Sequence, residues 1–264
     1  MATPLARDAA VAVLGAGAMG SGIAQVAARA GHRVLLYDAR IGAADDARRK
    51  LAETLDGLAA KGKLAADEAK AIAARVEPIH TPAACVSASL VVEAIVEDLD
   101  TKRALFRDLE VVVAPEAILA SNTSSLSITA LAAGMKRPGR IAGMHFFNPA
   151  PLMPLVEIVR GLATDASVAE TLHATATAWG KTPVHATSTP GFIVNRCARP
   201  FYGEALRLLA EGATTPATID ALMRDAGGFR MGPFELMDLI GHDVNYAVTL
   251  SVWEAMYRDP RYAP

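Results

Sequence analysis

Cysteine is almost missing from this chain. Two residues in 264, Cys85 and Cys197, stand in dissimilar contexts without metal-like spacing. That excludes a disulfide-stapled scaffold and leaves two reduced residues, in the core or near the surface, as the expectation. Positive charge is not in excess either. The 26 Lys and Arg against 28 Asp and Glu give a net charge of −2, so nothing suggests a nucleic-acid partner. No apolar run reaches the roughly eighteen residues of a membrane span. The opening "MATPLARDAA" lacks the basic-then-apolar layout of a secretory signal. No repeat or low-complexity tract stands out. These absences set a cytoplasmic, non-membrane protein as the expectation. What is present, 52% hydrophobic and 20% charged residues, is ordinary globular composition, and the length suffices for two domains.

The first part of the chain alternates short β-branched runs with helical patterns. Strand candidates are "AVAVLG", "RVLLYD", "RVEPIH", "LVVEAI", "AILASN", "RIAGMHF" and "LVEIV". "AMGSGIAQVAARAG" reads as a helix ending at Gly31, and the segment after Asp38 as two helices around Gly62. Strands alternating with helices predict a parallel, doubly wound sheet. Beyond Gly191 only helical stretches follow, such as "FIVNRCARPFYGEALRLLAEG" and "TPATIDALMRDAG", and "HATSTPG" reads as a linker. The predicted fold is therefore an N-terminal α/β domain over residues 1–187 and an all-α domain over 188–264.

"VAVLGAGAMGSGIAQVAARAGHRVLLYD" is the most specific local signal. Gly15 permits a tight turn after a strand, Gly17 lets a pyrophosphate approach the backbone, and Gly20 lets helix and strand pack closely. Ala18 and Met19 lie between them, where amide donors and the helix dipole face phosphates. Asp38 ends the second strand, where an acid binds ribose hydroxyls and repels a 2′-phosphate. Arg40 is the one neighbour that favours NADP. The reading is a Rossmann-type domain that binds NAD.

"MHFFNPAPLMPLVEIV" poses a separate question: why a glutamate, Glu157, sits in an apolar run. His145 lies at a predicted strand end, and a return strand after "NPAP" brings Glu157 back toward it. A carboxylate bonded to one imidazole nitrogen fixes the tautomer and stabilises the imidazolium formed when the other nitrogen takes a proton. Spacing alone equally allows a satisfied core histidine and a water-facing glutamate.

Together with the glycine loop and "VVEAIVEDLDTKRALF", the motifs "SNTSSLSI", "GMHFFNPAPLMPLVEIV", "STPGFIVNR" and "GPFELMDLIG" resemble the L-3-hydroxyacyl-CoA dehydrogenase family across nearly the whole chain. "HATSTPGFIVNRCARPFYGEA" and "LIGHDVNYAV" resemble most its 3-hydroxyadipyl-CoA members of phenylacetate breakdown; 3-hydroxybutyryl-CoA is the other substrate the resemblance allows. The resemblance implies that His145 is the catalytic base, Glu157 its orienting carboxylate, Ser124 the serine between nicotinamide and the substrate's 3-oxygen, and Asn195 a residue holding the substrate's oxygens. It places Ala94, Glu97 and Lys102 beside the cofactor, and Thr54 and Lys61 at the coenzyme A contacts, with threonine where the family has serine. It also implies an acyl-CoA partner and a homodimer through the C-terminal domain.

Each residue also has a plainer reading. Ser124 could cap the "LSITALAAG" helix. Glu97 and Lys102 could be solvated charges. Lys61, with Arg48, Arg49, Lys50 and Lys63, could be a wet helix face. Arg199, one helical turn from Asn195, could meet a distal substrate carboxylate or form an interface salt bridge. From another class, a non-catalytic NAD-binding relative would keep the fold without turnover. Members of the family usually continue through another helix and a glycine-rich tail, whereas this sequence stops at "RDPRYAP"; a shortened C-terminal domain, lacking the counterpart of a tail lysine near the nicotinamide, is the expectation.

Overall fold

A computed structural model of the chain describes residues 2–264. The chain divides into two compact units, the first ending at Ser188 and the second Thr189–Pro264.

The first unit is built on eight strands: β1 (Ala10–Leu14), β2 (Val34–Tyr37), β3 (Val76–Ile79), β4 (Ala88–Glu93), β5 (Ile118–Ser121), β6 (Ile141–Phe146), β7 (Leu155–Arg160) and β8 (Thr182–Thr187). Their order in the sheet is β3-β2-β1-β4-β5-β6-β7-β8. Strands β1 to β6 run parallel, β7 pairs antiparallel with β6, and β8 is parallel to β7. The strand order reverses between β1 and β4, the point at which open α/β sheets bind ligands beyond the carboxyl ends of their strands.

The central strands are apolar runs because both faces are covered. All five residues of β1 are buried. Helix α1 (Ala18–Arg29) lays Ile23, Ala24, Ala27 and Ala28 against the sheet, each fully buried. Helices α2 (Ala43–Ala60) and α3 (Ala66–Ala74) form the expected hairpin, with Gly62 at φ +66° in the turn. Helices α4 (Leu99–Val112), α5 (Ile128–Ala132) and α6 (Ala166–Ala178) complete the unit.

Strand β8 corrects the sequence reading, which ran "HATSTPG" as linker. His185, Ala186 and Thr187 are strand, and the connection begins at Ser188. As the sheet's edge β8 buries only Ala186, and it carries Pro183, which an edge strand tolerates.

The second unit is all helical: α7 (Val194–Ala210), α8 (Pro216–Asp225), α9 (Pro233–Ile240) and α10 (His242–Ala255). The "GPFELMD" motif is local stitching. Buried Asp220 on α8 accepts from the Phe234 and Glu235 amides at 2.9 and 3.1 Å, capping α9. A Cβ at Gly232 would lie 2.2 Å from the Asp220 carboxylate, so only glycine fits. Among the described residues no helix is long and apolar enough to cross a membrane.

Candidate active site

The three loop glycines have different reasons. Gly15 has φ +105°, and a Cβ there would stand 2.3 Å from the Ala94 carbonyl oxygen. A Cβ on Gly20 would stand 1.8 Å from the Gly15 carbonyl oxygen. Both are demanded by the fold itself. Around Gly17 nothing lies within 4 Å of such an atom. Glycine here keeps room for something outside the chain, directly before the first-turn amides of α1 at Ala18 and Met19. These features fit a dinucleotide's pyrophosphate. Gly17, Ala18 and Ser21 line a cavity of about 540 Å³ together with Arg40, Lys50 and Thr54.

Asp38 sits at the end of β2. Its carboxylate accepts from the Ala16 amide at 2.8 Å and from the Arg40 amide at 2.9 Å. The Arg40 guanidinium adds contacts at 3.0 and 3.1 Å. Those Arg40 bonds outweigh the opposing effect of burial and hold the carboxyl down at about 2. Arg40 is thus engaged with Asp38.

His145 and Glu157 occupy directly opposed positions of the antiparallel β6–β7 pair. Nδ1 of His145 lies 2.7 Å from Glu157 Oε2. Glu157 is fully buried and His145 only 5% exposed, so the water-facing alternative is wrong. An ionised carboxylate only accepts, which places the proton on Nδ1 and the basic lone pair on Nε2. The Phe147 ring packs against the imidazole at 4.5 Å.

Ser124 does not cap the following helix: Ser127 does, accepting from the Ala130 amide. The Ser124 amide instead donates to Glu97 Oε1 at 3.0 Å, and the Thr123 hydroxyl donates to the same oxygen at 2.6 Å. Asn122 Oδ1 accepts from the Phe146 amide at 2.8 Å, tying this loop to the strand that carries His145.

Lys102 is not a solvated charge, and the more exposed Glu97 is paired with it. Lys102, only 1% exposed, donates to Glu93 Oε1 at 2.6 Å and pairs with Glu97 Oε2 at 3.2 Å. Burial pushes the Glu97 carboxyl up, but the Lys102 charge and the donors Thr123 and Ser124 prevail and hold it below its usual value. Glu93, fully buried at the end of β4, also accepts from the Ile95 amide at 2.7 Å and the Ser121 hydroxyl at 2.6 Å. Sequence reasoning passed over Glu93, Ser121, Asn122 and Thr123. Glu93 gave the same signal as Glu157, a carboxylate in an apolar run.

The remaining candidates are more scattered. Thr54 lies on α2, its hydroxyl donating to the Lys50 carbonyl at 2.8 Å. Lys61 is the C-cap of α2 and lies outside the set of residues lining the cavity. Arg49 is paired with Asp46 and Glu53, and Arg48 donates to the Val76 carbonyl, so the basic face divides into structural and solvent-facing residues. Asn195 belongs to the second unit, in the first turn of α7. Arg199 is bonded to neutral acceptors of the second unit. Buried at 5% exposure, its guanidinium donates to the Asn195 and Asn245 carbonyls at 3.2 Å, and to Asn245 Oδ1 and Thr249 Oγ1 at 2.9 Å.

The family model described as 3-hydroxyacyl-CoA dehydrogenase, NAD binding domain, matches residues 10–189. The model of the C-terminal domain of the same family matches residues 191–264. The chain belongs to the 3-hydroxyacyl-CoA dehydrogenase family. Its first unit is that family's NAD-binding domain. It is 52% identical to the 3-hydroxyadipyl-CoA dehydrogenase of Escherichia coli K12, over 96% of this chain and 54% of that protein. It is 42% identical to a probable 3-hydroxybutyryl-CoA dehydrogenase of Bacillus subtilis, over 96% of this chain and 88% of that one. A crystal structure of 3-hydroxybutyryl-CoA dehydrogenase from E. coli K12 superposes with a TM-score of 0.95 at 51% identity, covering 97% of this chain and 54% of that one. The chain thus spans about half the length of these E. coli proteins.

Proposed function

We propose that this chain is an NAD-dependent dehydrogenase that reversibly oxidises an L-3-hydroxyacyl-CoA to the 3-oxoacyl-CoA. The observation that carries the reading is the buried His145–Glu157 pair, 2.7 Å across the β6–β7 ladder, in a unit whose glycine loop keeps Gly17 open. NAD supplies the hydride acceptor for C3 when bound. His145 takes the substrate's hydroxyl proton at Nε2. Glu157 holds the imidazole in the productive tautomer and stabilises the imidazolium that forms, and in the reverse direction His145 returns the proton. Ser124 donates to the substrate's 3-oxygen, and Asn195 helps to hold the substrate's oxygens. Gly15, Gly17, Ala18, Met19 and Gly20 cradle the cofactor's phosphates, Asp38 takes its ribose hydroxyls, and Ala94, Glu97 and Lys102 lie beside it. Thr54 and Lys61 meet coenzyme A.

The acyl group of this proposal is 3-hydroxyadipyl, as in phenylacetate breakdown. It is supported by the name of the E. coli relative at 52% identity. A 3-hydroxybutyryl substrate is supported by the B. subtilis relative. The protein works as a cytoplasmic homodimer in this reading, which the free thiols of Cys85 and Cys197 and the exposed Leu206, Leu222, Phe229 and Leu239 of the second unit favour. The test compares oxidation of 3-hydroxyadipyl-CoA and 3-hydroxybutyryl-CoA by following nicotinamide absorbance. Faster turnover of the adipyl substrate supports the full reading, and turnover of neither overturns it.

A further inference from the structure

The carboxylate Glu93 has no part in the proton transfer described above, yet it is fully buried and both of its oxygens are bonded. Oε1 accepts from Lys102 Nζ and the Ile95 amide, and Oε2 accepts from the Ser121 hydroxyl. An ammonium at 2.6 Å and two further donors favour the carboxylate form. Lys102 is then shared between two carboxylates, Glu93 at 2.6 Å and Glu97 at 3.2 Å. A single pair would be neutral. The trio Glu93, Lys102 and Glu97 carries a net charge of −1, with Glu97 reaching the Ser124 amide.

This charge lies at the carboxyl ends of β4 and β5, in the half of the sheet where the nicotinamide end of a dinucleotide falls by the rule of the fold. The oxidised ring is a cation and the reduced ring is neutral. We infer that the Glu93–Lys102–Glu97 trio is a charge setting that favours the oxidised over the reduced cofactor, with Glu93 the buried residue that fixes its sign. The inference rests on the NAD-binding reading and extends it. Glu93 acts through the trio's charge and is a positioning residue for Lys102.

A count of charges gives the test. Glu93→Gln takes the trio from −1 to 0. Adding Lys102→Met to that variant returns it to −1 through Glu97, and replaces the buried ion pair by neutral groups, which a fold often tolerates. Glu97→Gln also gives 0, without a change in the buried interior. Equilibrium dissociation constants for NAD⁺ and NADH are measured for each by calorimetry, with thermal melting as a check on folding. A unit charge roughly 12 Å away, acting at an effective dielectric near 20, shifts binding about tenfold. The ratio of the NAD⁺ to the NADH constant should rise about tenfold in Glu93→Gln and in Glu97→Gln, and return toward the native value in the double variant. Should Glu93→Gln fail to fold, the Glu97→Gln and double-variant ratios decide alone. Equal weakening of both forms, or a double variant that keeps the shifted ratio of the neutral trios, overturns the inference and makes Glu93 plain scaffold. A folded native protein that binds neither form overturns the NAD reading as well.

Discussion

His145 and Glu157 are twelve positions apart in sequence and face each other in one rung of the β6–β7 ladder, both buried, with Nδ1 2.7 Å from Oε2. The carboxylate fixes which imidazole nitrogen is basic. Glu157→Gln can still accept through its amide oxygen, but it no longer stabilises an imidazolium. Its kcat should fall by about 10²-fold or more at unchanged NAD affinity. Steady-state kinetics and a cofactor titration check this. Parallel losses in both would make the pair structural.

Gly17 and Gly20 should respond differently to the same methyl group. Gly20→Ala meets the Gly15 carbonyl and should destabilise the fold by about 1–3 kcal/mol or more, as overpacking does. Gly17→Ala meets open space; it should melt near the native temperature and still lose cofactor affinity. Thermal melts beside NAD titrations separate the two, and a Gly17→Ala protein with native affinity would remove the loop from the phosphate site.

Asp38 predicts the choice of cofactor and a pH signature. NAD should bind and NADP bind poorly, with Asp38→Ala narrowing the difference in a calorimetric titration. The carboxyl is depressed to about 2 by Arg40, below the roughly 3.9 of a free aspartate. Its contribution to stability is therefore present above pH ~4 and lost as pH falls through about 2. Melting curves of the native protein and Asp38→Asn should differ at pH 6 and converge toward pH 2. Equal NADP binding by the native protein would mean that Arg40, not Asp38, governs the ribose site.

Seven of the eight strands were legible as short runs rich in β-branched and other apolar residues, most of them buried. Strand β8 was not, since only Ala186 of "TPVHAT" is buried and an edge strand carries little apolar signal. The histidine–glutamate pair was legible as a possibility from spacing, but its rung required the register of β6 against β7. Glu93 escaped because its partners, Lys102 and Ser121, lie 9 and 28 residues away and meet only when β4, β5 and α4 close together. The surroundings of Arg199 were hidden for a related reason. Helical periodicity gave its proximity to Asn195, but nothing in the local sequence announced Asn245 and Thr249 on α10.

The bonds to Asn195, Asn245 and Thr249 favour a scaffold role for Arg199. Arg199→Ala leaves the Asn245 side chain and carbonyl without these charged donors, at a cost of about 2–4 kcal/mol. It should lower the melting temperature and weaken 3-hydroxyadipyl-CoA and 3-hydroxybutyryl-CoA alike. A loss confined to the adipyl substrate in a protein of native stability would restore Arg199 as the distal-carboxylate contact.

The most direct test of the central claim is the rate of NADH formation from an L-3-hydroxyacyl-CoA by His145→Gln, with its NAD dissociation constant measured alongside. Removal of the general base predicts a rate about 10²–10⁴-fold below the native protein at an unchanged dissociation constant; a native rate with that constant unchanged would contradict the assignment of His145 as the base.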